Sequence, residues 1–333
     1  MKLLFVFTGG TIGSTRNGDV ISTEGGKSYK IIDAYKKQFG IDFEFDTVEP
    51  YTELSENNTG WHIKRLVNCV KENADKGYDG IIVTHGTDTL QYSAAAIGYC
   101  MGLDSVPICL VSANYPIEDA RSNAMDNLHG AICLISRGDA KGVFVVYRNE
   151  DSDIVCVHRA TRLIGPKAYS DEASSVRNIV YGTFAENFSF RINERYVECN
   201  DECEVLDASL LEEGSSEIMV INSYPAMIYP QISSGVKCVI INSYHSGTIN
   251  TKSQKTIDFM SAAREKGVKV YVTGVSEGPQ YASAEEFAKL GIIPIKNLSP
   301  IAAYVKIWLL LSAKNNIEKM LQASICGDRV IFD

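Results

Sequence analysis

Two short stretches of the chain set hydroxyls and carboxylates where they could do chemistry. "TGGTIG" (8–13) follows the apolar run "LLFVF", and "THGTDTL" (84–90) follows "GIIV". In the first, Thr11 stands on a backbone that glycine allows to approach a neighbour closely. In the second, Thr84, Thr87 and Thr89 interleave with His85 and Asp88, and a carboxylate beside hydroxyls can orient and polarise them. Neither stretch is a phosphate loop. No Gly-Lys-Ser/Thr ending follows, G-x-G-x-x-G is absent, and the residues after Ile12 turn polar and irregular instead of opening a helix. On the residues alone, two plainer readings stay open: a glycine turn for the first stretch, and an N-cap cluster at Thr87 or Asp88 for the second.

The elements that must hold these loops read as alternating strands and helices. "KLLFVF", "GIIVTHG" and "VPICLVS" are short β-rich runs, and "WHIKRLVNCVKENADKG" sets Ile63, Leu66, Val67 and Val70 on one helical face. "TLQYSAAAIGYCM" and "IEDARSNAMDNLHGAICLIS" read as helices, and "GVFVVYRNEDSDIVCVHRATR" reads as a hairpin turning over Asn149 to Asp153. From about residue 186 to 216 the chain is polar and irregular, after which "EIMVINS", "VKCVIINS" and "VKVYVTG" resume the alternation, with two helices closing the chain. The expectation is an α/β protein of two doubly wound domains. Residues 1–190 form a larger, mostly parallel sheet, 191–215 a linker, and 216–333 a smaller parallel α/β domain. Both reactive stretches then leave the carboxyl edge of one sheet, where open α/β sheets bind ligands.

Composition narrows the class. A chain of 333 residues exceeds what one core usually serves. A net charge of −9 with no dense basic stripe argues against nucleic acid as a partner. No apolar run reaches membrane-spanning length, and the start lacks the apolar core and cleavage site of a secretory leader. Nine cysteines, an odd number scattered singly, suggest reduced thiols and a cytoplasmic setting. "ECNDEC" (Cys199, Cys203) has no second Cys/His pair at metal-site spacing, so no metal is expected.

Together the two loops resemble the signature pair of the bacterial-type L-asparaginase family, in its cytoplasmic subgroup. There T-G-G-T-I supplies a nucleophilic threonine and H-G-T-D-T a second Thr-Asp pair. "LSENNTGW" is similar to the family's substrate loop, "RSNAMDNLHGA" to its Arg-Ser-Asp-Gly…Asn-Leu stretch, and "INSYPAMIYPQI" with "IINSYHSGTIN" to its second domain. The resemblance implies hydrolysis of L-asparagine to L-aspartate and ammonia, with Thr11 attacking the side-chain amide carbon to form an acyl-enzyme. It assigns catalysis to Thr11, Thr87, Asp88 and position 162, and substrate binding to Gly10, Ser55, Glu56, Gly86, Thr87 and Asp88. Ser55 and Glu56 would hold the α-carboxylate and α-amino groups, Asp88 would pair with the ammonium, and backbone N–H groups at Thr87 and its glycines would stabilise the oxyanion. It further implies no metal or organic cofactor, a cytoplasmic location, and a homodimer or homotetramer.

The chain departs from that pattern at two positions. Arg162, in "HRATR", stands where the family carries a lysine. Arginine stabilises negative charge but cannot act as a base, so Arg162→Lys is expected to raise turnover if proton transfer is limiting. Asp19, in "RNGDVIS", stands where the family places a tyrosine, with Tyr29 farther along as a substitute. Glu277, in "TGVSEGPQY", matches the family's glutamate that reaches a neighbouring subunit, and His85 reads as a structural hydrogen-bonder. The departures admit two other functions: a same-fold amidase with another substrate, or a silent asparagine- or aspartate-binding homologue. The amidase component of a tRNA-dependent amidotransferase normally carries a domain ahead of T-G-G-T. Here the motif begins at Thr8, which argues against that component.

Overall fold

The computed structural model describes residues 1–9, 15–17, 20–22, 28–166, 169–185, 187–199, 205–211, 217–278, 281–313 and 317–331. It leaves out the side chains of residues 15–17, 20–22, 28 and 29.

The first lobe runs β1 (Lys2–Phe7), β2 (Thr15–Asn17), β3 (Val20–Ser22), α1 (Ser28–Phe39), β4 (Glu44–Val48), α2 (Gly60–Ala74), β5 (Gly80–Thr84), α3 (Leu90–Met101), β6 (Ile108–Val111) and α4 (Ala124–Ser136). It continues with β7 (Val143–Arg148), β8 (Val155–Arg159), a 3-10 turn (Ala160–Arg162), β9 (Leu163–Ile164), β10 (Ser174–Ser175), β11 (Gly182–Phe184) and β12 (Phe190–Ile192). Eight of these strands form one sheet in the order β12-β11-β8-β7-β6-β5-β1-β4. It is parallel from β7 to β4 and antiparallel from β7 to β12.

Strand residues alternate between two cores, which is why the strands read as continuous apolar runs. Leu4 and Val6 face α2 and α3 with Ile81, Val83, Ile108 and Leu110, while Leu3, Phe5 and Phe7 face α1 and α4 with Ile82, Cys109 and Val111. With helices on both faces, only the strand ends remain open to a ligand.

The second lobe is a smaller, fully parallel sheet, β13 (Ile218–Asn222), β14 (Cys238–Asn242), β15 (Lys269–Val275) and β16 (Ile292–Lys296), in that order. α5 (Gln254–Glu265), α6 (Ala282–Glu285) and α7 (Phe287–Leu290) accompany it, followed by α8 (Pro300–Ser312) and α9 (Ile317–Gln322). α8 is buried between the lobes: Val305, Ile307, Leu309 and Leu310 share one core with α3, Ile240 and Tyr271. The segment between the sheets also packs inward, with Leu206, Ala208 and Leu211 buried and the Leu206 N–H bonded to the Tyr99 carbonyl.

Several elements differ from the sequence reading. The helix expected from "IEDARSNAMDN" starts only at Ala124, because Asn114 and Asn123 exchange side chain to backbone hydrogen bonds that hold the preceding residues in a turn. β4 carries Glu44 and Asp46 at the sheet edge and so lacks an apolar run. β11 and β12 are three-residue strands within and beside the stretch read as irregular.

Candidate active site

The sheet order reverses at β1, which lies between β4 and β5, and the loops after these three strands meet at their carboxyl ends. Thr8 donates its hydroxyl to the Thr84 carbonyl at 2.9 Å, tying the tip of β1 to that of β5. The Glu53 N–H bonds to the Thr8 carbonyl, bringing in the loop after β4. Gly9 adopts φ +97°, and a Cβ there would lie 2.5 Å from the Glu53 carbonyl oxygen. The first glycine of the motif is therefore needed where two loop backbones touch. Gly10, Thr11 and Asp19 lie outside the described residues, and Tyr29 has a helical backbone in α1.

The substrate-loop candidate and the Thr-Asp pair are joined directly. Ser55, buried on a one-turn 3-10 helix (Ser55–Asn57), accepts from the Asp88 N–H at 3.2 Å and lies 3.4 Å from Asp88 Oδ2. Thr89 Oγ1 donates to the Ser55 carbonyl at 2.8 Å, and Asn58 donates to Thr89 at 3.1 Å. These bonds decide against the N-cap reading: the cap of α3 is Thr89, which makes no side-chain cap bond, and the Asp88 carboxylate turns to Ser55. Glu56 is exposed beside Ser55, Gly86 is buried, and Thr87 is half-buried.

His85 is fully buried, and burial lowers its pKa from 6.5 to about 4. Its Nδ1 is 2.8 Å from the Gly86 carbonyl, so Nδ1 carries the proton. Nε2 then accepts from Ser93 at 2.9 Å and faces the Asn58 amide at 3.4 Å. This neutral imidazole holds the shape of the loop. Asn58 and Ser93, which hold that ring, escaped notice in the sequence because neither residue type signals a role without its neighbours.

A cavity of about 420 Å³ opens against Thr87, Asp88 and Gln91. Its far wall comes from Tyr147 at the end of β7 and from residues 169–173, the loop between β9 and β10. Asn149 clamps that loop, donating to the Ala173 carbonyl at 3.1 Å and accepting from the Ala173 N–H at 2.9 Å. Asp171 faces the cavity with its pKa raised, first by burial, then by Glu150 and Asp88. Sequence reading missed Tyr147, Asn149 and Asp171, since only the fold, which sets the end of β7 against the loop joining the β9–β10 pair, brings them to the Thr-Asp loop.

Arg162 does not join this cluster. It is 1% exposed, and its guanidinium donates to the Gly327 carbonyl at 2.6 Å and the Val197 carbonyl at 2.8 Å while stacking on Tyr196. It follows β8 onto the 3-10 turn, whose side chains face the carboxyl-terminal segment; Leu163 and Ile164, one and two residues on, line the cavity instead. Glu277 is held within its own chain, exchanging two 3.0 Å bonds with Asn297.

An architecture with three strand tips converging on one Thr-Asp loop defines a class, and the chain belongs to the asparaginase family: the model for the asparaginase N-terminal domain matches residues 2–195. Over its whole length it shares the fold of the thermostable L-asparaginase from Thermococcus kodakarensis (TM-score 0.79, 18% identity, 100% of both chains). It also shares the fold of a probable cytoplasmic L-asparaginase from Campylobacter jejuni (TM-score 0.72, 22% identity, 96% of this chain and 98% of that one). Among curated proteins it resembles one component polypeptide of the glutamyl-tRNA(Gln) amidotransferase of Methanococcus maripaludis. Identity there is 27% over 271 residues, covering 78% of this chain and 63% of that protein.

Proposed function

We propose that the chain is an amidohydrolase that converts L-asparagine to L-aspartate and ammonia through an acyl-enzyme on Thr11. The observation that carries the reading is the bonded junction of Thr8, Ser55, Asp88 and Thr89 at the switch point of the sheet. Thr11, three residues beyond Thr8, would supply the nucleophile, with Thr87 and Asp88 as the second pair. Gly10, Ser55, Glu56 and Gly86 would border the amino-acid head. No proton-accepting role is assigned to Arg162, whose guanidinium is engaged elsewhere.

No metal or organic cofactor is required by this chemistry. A cytoplasmic setting is consistent with the Campylobacter likeness and with the free thiols of Cys69, Cys100, Cys109, Cys133, Cys156 and Cys238. Among the described residues no helix is long and apolar enough to cross a membrane. Exposed Val220, Tyr224 and Ile228 beside the edge strand β13 favour a homodimer or homotetramer.

A second reading, an ammonia-supplying amidase acting with a partner protein, is favoured by the likeness to the amidotransferase component. Ammonia release from L-asparagine, L-glutamine and D-asparagine, measured beside Thr11→Ala, separates the two. Preference for asparagine, lost in the variant, supports the first; preference for glutamine supports the second. Absence of turnover with L-aspartate still raising Tm would mark a silent binder.

A further inference from the structure

The cavity beyond the Thr-Asp loop holds more than an amino-acid head requires. At about 420 Å³ it has room for about fourteen water-sized groups. Asp88, Asp171 and Glu172 all line it, and no Lys or Arg does so among the described residues. Burial, then Glu150 and Asp88, raise the proton affinity of Asp171. A second feature is independent of charge. Tyr147 lines the same cavity at 2% exposure, and among the described residues its buried hydroxyl has no partner at hydrogen-bond distance; burial raises its pKa and the neighbouring Asn123 lowers it. The Asn123 side chain accepts from the Asn114 N–H and donates one hydrogen to the Arg148 carbonyl. A buried hydroxyl left unpaired beside carboxylates in a cavity is a place for a ligand polar group.

We infer that this cavity is a subsite for an ammonium-bearing substituent, held by Asp171 and Glu172 with the Tyr147 hydroxyl as acceptor, and that the preferred substrate is an amide of net positive charge. The inference builds on the amidohydrolase reading and names its substrate class. An ammonium group both satisfies the orphaned hydroxyl and relieves the repulsion among the carboxylates, whereas a free α-carboxylate would add to it. The reaction itself is unchanged: the Thr11 hydroxyl adds to the amide carbon, the C–N bond breaks and ammonia leaves with a proton, and water then adds to the ester carbon, releasing the carboxylate and restoring the hydroxyl.

The test has two arms. In the first, kcat/KM is compared for L-asparaginamide, a cation, and zwitterionic L-asparagine, with β-amide cleavage of the former followed as L-isoasparagine. The expected result is a preference of about fivefold or more for the cation, retained in Asp171→Glu, lost in Asp171→Asn and weakened by salt. Equal rates on both substrates, or a preference unchanged in Asp171→Asn, would overturn the inference. In the second arm, calorimetry with 1,4-diaminobutane reads the subsite without catalysis, and about tenfold weaker binding is expected in Asp171→Asn. Diamine binding that depends on Asp171 in a protein that hydrolyses neither amide would sink the amidohydrolase reading and leave the subsite standing. No diamine binding by the unaltered protein, or binding indifferent to Asp171, overturns the subsite.

Discussion

At the scale of single residues, Arg162 shows what a motif conveys and what it leaves out. The spacing in "HRATR" sets it against the family's lysine, yet the fold turns its side chain to the carbonyls of Gly327 and Val197. Nothing local could reveal this, because Gly327 lies 165 residues away. Asp88 was more legible: a carboxylate one residue after a hydroxyl at a strand tip stays at the sheet edge whatever packs around it. Arg162→Lys therefore has an outcome different from the one the motif suggests. A lysine lacks the planar fork and leaves a buried carbonyl unpaired, so stability should fall by about 2–3 kcal/mol with no gain in turnover. Denaturant unfolding and asparagine turnover of the variant check this together. Unchanged stability with faster hydrolysis would return position 162 to the active site.

Elements follow a similar division. The parallel core of the first lobe was readable because its strands, covered on both faces, are near-continuous apolar runs of Val, Ile, Leu and Phe. The edge strand β4, with charges at alternate positions, and the two-residue strands β9 and β10 carry no such signal. Yet β9 and β10 matter most to the site, since they deliver residues 169–173 to the cavity and Asn149 fixes them there. Tyr169 in that loop, its side chain fully exposed, takes φ +64°, a conformation that costs a non-glycine residue about 1 kcal/mol or more. Asn149→Ala removes both clamping bonds at a half-buried position. It should raise KM for amide substrates by about threefold to tenfold, from loss of roughly 1 kcal/mol of loop ordering, while Tm moves little. Steady-state kinetics and a melting curve on one preparation suffice, and an unaltered KM would show that the loop needs no clamp.

Across the whole molecule, the two lobes are joined by polar as well as apolar contacts. Asp328, fully buried, pairs with Lys306 of α8 at 2.7 Å and accepts from Tyr99 of α3 at 2.9 Å, while Val330 bonds to the Asn297 carbonyl of the second lobe. Thr161 and Arg162 grip the same tail at Cys326 and Gly327. The response of the fold to acid also depends on groups outside this network that take up protons on unfolding. Two are clear: His85 at the loop after β5 and His158 on β8 are both fully buried, with pKa values lowered by burial from 6.5 to about 4. The unfolded chain binds more protons than the folded one between those values, so the stability these neutral rings preserve is complete above about pH 6.5 and declines as pH falls toward 4. Each histidine should account for about 3 kcal/mol of that decline. His158 is the cleaner probe, since its Nδ1 meets Ser175 at 2.8 Å, its Nε2 has no partner among the described residues, and it does not line the cavity. Urea unfolding at intervals from pH 7 to pH 4 should show a falling midpoint, with about half the slope in His158→Asn. A flat profile in the unaltered protein would mean that both rings are reached by water or find a proton acceptor in the folded state, and a slope insensitive to His158 would leave His85 to carry the whole effect.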